Sequence, residues 1–212
     1  MKKFWFFDLD GTLADTDADI RLAWKESLKD LGLVCDDFDE KFVAGPPIEE
    51  MVKTLFPSRY TDALAQALRE HFGQHYDNDG FPNTREYPGV MDRIRRIQAE
   101  GGRLFIVTNK RCAGATAMAK KFGWMTVFEG LYTGDMHKDD PSIGKLRKPE
   151  LLARVISEVG AKKEDSVMVG DTWNDFEAAK ANGIASIGVS WGYGTAADLL
   201  AADRVVHAPN EI

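Results

Sequence analysis

Phe4-Trp5-Phe6-Phe7-Asp8-Leu9-Asp10-Gly11-Thr12-Leu13 decides how this chain is read. Its aromatic half predicts a buried strand. The strand then stops in two acids, a glycine and a threonine. A carboxylate at the end of a buried strand is costly unless a cation meets it. In open α/β sheets that same end is where ligands bind. An ordinary acidic turn is the competing reading of this segment alone.

Working outward, the same pattern returns. Arg103 to Thr108 is a β-rich run closing on Thr108-Asn109, and Ser166 to Gly170 is a hydrophobic run closing on Asp171. Val127 to Tyr132, Ala185 to Val189 and Arg204 to Val206 complete the expected strands. Helical patterns lie between them. One starts at Pro88-Gly89, with the proline suited to the first turn, and stops at Gly101-Gly102. A second runs from Pro149 to Val159, and a third from Asn174 to Asn182 before Gly183. Strands alternating with helices of this length predict right-handed crossovers. The fold class is therefore α/β, a Rossmann-like, mainly parallel sheet flanked by helices.

Residues 16–83 break the alternation. Ile20, Trp24, Leu28 and Leu31 form one helical stripe, and Leu64, Leu68, Phe72 and Tyr76 another. Helices placed between the first strand and the rest predict an α-helical cap domain, with residues 1–15 and 84–212 as the core.

Composition narrows the function. The chain has 212 residues, 44% of them hydrophobic, and a formal net charge of −7, which argues against broad binding to nucleic acid or anionic membrane. Cys35 and Cys112 lack metal-ligand spacing and fit a reduced, cytoplasmic setting. No apolar run is long enough for a membrane span or a signal-peptide core. Oligomeric state is not readable from these features.

If the strands ending at Asp8, Thr108 and Asp171 are neighbours, four segments converge: Asp8 with Asp10, Thr108 with Asn109, Lys148 with Pro149, and Gly170 to Asp175. Two unit charges about 4 Å apart repel by roughly 4 kcal/mol at an effective dielectric near 20. Asp8, Asp10, Asp171 and Asp175 would be untenable if all were ionised and uncompensated: protonation is one escape, and a divalent cation is the better one. All-oxygen ligands without histidine or thiolate favour Mg2+. One carboxylate is then left to act as nucleophile and another to move protons. Lysine and short polar donors suit a phosphoryl group in transfer.

With these motifs in this order, the chain resembles the haloacid dehalogenase superfamily, in the phosphoglycolate-phosphatase-like branch with a helical cap. The resemblance spans nearly the whole chain, and it also takes in Gly183-Ile184 and Trp191-Gly192-Tyr193-Gly194, to which no chemistry is assigned. It implies that Asp8 forms an aspartyl phosphate. It implies that Asp10 is general acid and then general base, with its backbone carbonyl on Mg2+. Asp8 and Asp171 would bind the metal by their carboxylates, and Asp175 directly or through water. Thr108 and the Asn109 amide would hold phosphoryl oxygens, and Lys148 would neutralise the nucleophile and the transferring group. An acid at position 10, where related dehalogenases carry an aromatic residue and phosphonate-cleaving members a small apolar one, implies phosphate-ester chemistry.

The expected function is a Mg2+-dependent phosphatase acting on a small phosphorylated metabolite, phosphoglycolate first among them. A phosphomutase of the same family, a pyrophosphatase, a nucleotidase and a receiver-type phosphoacceptor are the alternatives. Arg21, Lys25, Lys53 and Arg59, together with the Gly45 to Glu49 turn, are candidates for substrate contact in the cap. Lys148 as a plain surface lysine and Asp175 as a helix-end acid are the bland readings of those residues. His71 and His75 have a spacing that suits a metal, but packing near Leu64 and Leu68 is expected of them. Asp135, His137, Asp139 and Asp140 are expected in a solvated loop.

Overall fold

The structure is a computed structural model that describes residues 2–77 and 80–212. In chain order the elements are β1 (Phe4–Phe7), β2 (Ala14–Asp15), α1 (Asp17–Asp30), α2 (Phe38–Lys41), α3 (Ile48–Leu55) and α4 (Asp62–Tyr76). There follow β3 (Arg85–Glu86), α5 (Val90–Ala99), β4 (Arg103–Thr108), α6 (Cys112–Phe122), β5 (Gly130–Thr133) and α7 (Lys148–Glu158). The chain ends with β6 (Ser166–Gly170), α8 (Trp173–Asn182), β7 (Ala185–Val189), α9 (Ala196–Leu199) and β8 (Arg204–Val206). It divides into two compact units, Met1–Asp15 with Arg85–Ile212, and Thr16–Thr84.

In the first unit, among the described residues, six strands form one sheet in the order β5-β4-β1-β6-β7-β8. All its pairings are parallel. This is the Rossmann-like α/β architecture that the alternating pattern predicts. β1 lies in the middle, and all four of its residues are buried. That explains its unbroken aromatic run: a strand covered on both faces has no polar side to show. Phe6 stacks on Phe105 at 5.6 Å, within a core that also includes Leu151, Leu152 and Val155 of α7 and Ala178 and Ala179 of α8. Phe7 points to the other face and meets Phe128 edge-on at 5.9 Å.

Register places the chemistry. Phe7 is level with Ile106 of β4 and with Val169 of β6. Asp8 and Gly170 come one step further along their strands, and Thr108 and Asp171 two steps, all at the same edge of the sheet. The Asp8 amide donates to Val169 O at 2.9 Å, so the nucleophile candidate still belongs to the ladder.

Two element boundaries differ from the sequence reading. The strand expected over Val127 to Tyr132 is Gly130–Thr133, because Trp124–Thr126 forms a 3-10 turn first. Trp124 is fully buried there and its indole donates to Glu86 at 2.7 Å. Pro88 does not open α5: Gly89, at φ 82, is the residue before the helix, and Val90 begins it. A left-handed turn that only glycine adopts freely comes between the proline and the helix.

The second unit is helical. α1 and α4 pack through Trp24 and Phe72, 6.1 Å apart, and Trp24 also meets Phe42. Ile20, Trp24, Leu28, Leu68 and Tyr76 of the two expected stripes are buried. Thr61 caps α4 by accepting the Leu64 amide at 3.1 Å. Among the described residues no helix is long and apolar enough to cross a membrane.

Candidate active site

Lys148 opens α7 and is 2% exposed. Its ammonium lies 2.9 Å from Asp8 Oδ1 and 2.5 Å from Asp175 Oδ1. Both oxygens are buried without a well-directed hydrogen bond, so this shared cation is what they face. The remaining Asp175 oxygen accepts from the Thr172 amide and hydroxyl, both at 3.1 Å, which closes the first turn of α8. Lys148 is thus no surface lysine, and Asp175 serves the helix end and the charge cluster together.

Asp171 is fully buried. It accepts from the Thr12 hydroxyl at 3.2 Å and from the Tyr193 amide at 2.7 Å. The approach needs glycine on two sides. A Cβ on Gly11, whose φ is 78, would sit 2.1 Å from Asp171 Oδ2, and one on Gly192 would sit 2.3 Å from Asp171 Cβ. The Trp191 to Gly194 segment, without a role in the sequence reading, therefore wraps this carboxylate. Trp191 also donates to Thr12 O at 3.2 Å, and Tyr193 OH to Asp15 at 3.1 Å.

Electrostatics mark the cluster as unfinished. Burial raises the Asp8 carboxyl to about 6; Lys148 opposes this and the Asp175 charge adds to it. Burial likewise lifts Asp171 well above the carboxylate range, with Asp175 and Asp8 adding to it and the Tyr193 amide opposing. Burial alone would pull Lys148 down, but Asp175 and Asp8 outweigh it and hold the lysine above its ordinary value. Asp8, Asp171 and Asp175 each offer an oxygen, and the three lie within 4.8 Å of one another. Three carboxylates against one ammonium leave a buried deficit of positive charge. A hard divalent cation fits that donor set and would use the under-satisfied oxygens.

Asp10 stands apart from this trio. Its carboxylate oxygens lie 2.8 and 3.2 Å from Lys110 Nζ. Thr108 is buried and its hydroxyl accepts the Lys110 amide at 3.2 Å, while Asn109 is exposed. The strand ends thus bring together Asp8, Asp10, Thr108, Asn109, Lys148, Asp171 and Asp175. Sequence reasoning missed Lys110, although it directly follows Thr108-Asn109. It also missed the Tyr193 amide, which no side-chain motif could reveal.

Two further expectations change. His71 and His75 are more than packing: their rings lie 3.2 and 2.7 Å from Asp30 Oδ2. Asp135 does not simply face solvent, because it accepts the Cys112 amide and the Thr133 hydroxyl, both at 2.9 Å, and so anchors the start of α6. The four cap cations are engaged within their own unit. Arg21 binds Asp17 and Phe42 O, Lys25 binds Asp39, and Lys53 and Arg59 lie over Tyr60 and Phe56. Cys35 and Cys112 are both free thiols.

Comparison with known proteins agrees with the fold and the family. The model of the haloacid dehalogenase-like hydrolases matches residues 5–189, and the chain belongs to that family. A phosphoglycolate phosphatase of Agrobacterium fabrum is 32% identical over 193 residues, which is 88% of this chain and 80% of that protein. A 5'-nucleotidase of Pseudomonas aeruginosa is 27% identical over 92% of this chain and 86% of its own length. The crystal structure of a predicted phosphatase from Clostridium acetobutylicum superimposes with a TM-score of 0.86 at 23% identity, covering 100% of this chain and 96% of that one, a likeness of fold. Within the family this chain is a phosphoglycolate-phosphatase-like phosphoric monoester hydrolase.

Proposed function

We propose that the protein is a Mg2+-dependent phosphatase that transfers the phosphoryl group of a small phosphomonoester to Asp8 and then to water. The observation that carries this reading is the Asp8 carboxylate at the end of the central strand, 2.9 Å from a buried lysine and two residues before a second acid. Asp8, Asp171 and Asp175, with the Asp10 carbonyl, would hold the metal. When bound, Mg2+ supplies positive charge that lowers the repulsion between nucleophile and phosphoryl oxygens.

Every other step belongs to the chain. An Asp8 oxygen attacks phosphorus as the bond to the leaving oxygen breaks, and Asp10 gives that oxygen a proton. Asp10 then takes a proton from water as it attacks the aspartyl phosphate, which restores the Asp8 carboxylate and releases phosphate. Thr108 and the Asn109 amide hold phosphoryl oxygens, and Lys148 keeps Asp8 ionised. The helical unit acts as the cap and supplies the groups that choose the substrate.

Phosphoglycolate is the favoured substrate, supported by the Agrobacterium relative. The Pseudomonas nucleotidase makes nucleoside 5'-monophosphates the reading to test against it. A phosphate-release screen over phosphoglycolate, sugar phosphates, nucleoside monophosphates and pyrophosphate, with and without Mg2+, decides. Mg2+-dependent release with the highest kcat/KM on phosphoglycolate is the expected result. Isomerised sugar phosphate in place of free phosphate, or full turnover without metal, would overturn it.

A further inference from the structure

Lys110 has no part in the scheme above, yet its side chain is 4% exposed and its ammonium grips both oxygens of Asp10. A lysine is almost never buried to this degree unless it is paired. One donor lying close to both oxygens restricts rotation of the carboxylate about its last bond. The same residue is tied by its backbone, through the amide it donates to the Thr108 hydroxyl. Lys110 therefore links the group proposed to hold a phosphoryl oxygen with the group proposed to move protons. Lys148 does not duplicate it, being committed to Asp8 and Asp175.

We propose that Lys110 is a positioning residue that holds the Asp10 carboxylate where it can reach first the leaving oxygen and then the attacking water. The inference rests on the acid–base reading of Asp10. Its physical basis is that a small misplacement of a catalytic group, about 1 Å, costs on the order of 10²-fold in rate.

The test compares leaving groups. A primary alkyl phosphate needs its leaving oxygen protonated, and p-nitrophenyl phosphate does not. In Lys110→Met, kcat on the alkyl ester should fall by about 10²-fold, the lower range of general acid–base contributions. The p-nitrophenol burst that accompanies phosphorylation of Asp8 should keep nearly its parental rate, followed by slow hydrolysis of the phosphoenzyme. Lys110→Arg should restore part of the alkyl-ester rate. In a double-mutant cycle, Lys110→Met with Asp10→Asn should be no slower than Asp10→Asn alone, since residues acting through one another are non-additive.

Equal loss in the rate of Asp8 phosphorylation from both leaving groups, or additive losses in the cycle, would overturn the inference. The Asp10→Asn arm separates the two readings. If that variant discriminates between leaving groups and Lys110→Met does not, only the role of Lys110 falls. If Asp10→Asn itself fails to discriminate, the acid–base reading falls and takes the inference with it. Thermal melting confirms folding, and Lys110→Gln carries the same cycle if the methionine variant does not fold.

Discussion

Asp19 in the helical unit and Asp8 in the sheet unit are both nearly withdrawn from solvent, at 6% and 8% exposure, yet they live in opposite surroundings. The Asp19 carboxylate accepts from the Asn83 amide and side chain and from the Thr84 amide and hydroxyl, at 2.7 to 3.1 Å. Its charge is answered by dipoles of its own unit, and it fastens the end of that unit to α1. Asp8 instead shares one lysine with Asp175 and lies beside one further buried acid, Asp171. A satisfied carboxylate holds structure. An under-satisfied one holds free energy in reserve for a cation and a phosphoryl group, the usual tension between activity and stability.

The sharpest way to break this contrast is Asp8→Asn. Turnover should fall by about 10⁴-fold or more, as for removal of other covalent nucleophiles. The metal-free melting temperature should hold or rise, because a crowded charge is gone. Full activity in that variant would end the proposed mechanism.

Asp19→Ala should do the reverse. Stripping the acceptor from four donor groups, two of them on buried Thr84, should cost about 3 kcal/mol, the scale of hydrogen bonds to charged groups. Urea unfolding reads this, and a variant as stable as the parent would show that Asp19 is no fastener.

pH sharpens the comparison further. The folded-state Asp8 carboxyl is raised from 3.8 to about 6, so its protonated form is the one folding favours. The contribution is fully present below 3.8 and is lost as pH rises through about 6. Asp171 shifts in the same direction. Metal-free melting temperature should therefore fall across this interval, and Mg2+ should raise it more above about 6 than below 3.8. A flat, metal-insensitive profile would contradict the reading of the cluster. The smallest effect belongs to Asp30→Asn. That acid is solvent-accessible and bound to His71 and His75, so its loss should leave kcat/KM unchanged.

Much of the site was legible because its signals are local. A hydrophobic run that ends in an acid marks a strand end whether it is followed from Phe7 to Asp8 or from Gly170 to Asp171. Pro149 marks the start of α7 and so places Lys148 at its first turn. Other parts were illegible for equally concrete reasons. The Trp124–Thr126 turn owes its position to a buried indole bonded to Glu86, 38 residues away. Asp135 reads as a polar loop residue until the start of α6 is brought against it. The histidine pair reads as a surface feature until α1 supplies Asp30.

By itself, then, the order of residues determined the alternation of strands and helices, the interruption by a helical unit, the acids and threonine at the strand ends, and the lysine that opens α7. These follow from periodicity and from the cost of burying charge, both of which act over a few neighbouring positions. Only the tertiary structure decided that Lys110 meets Asp10 across 100 residues and that the Tyr193 amide meets Asp171 across 22. Such pairings are set by the register of parallel strands and by close approach at glycine, and a backbone N–H carries no residue-specific mark.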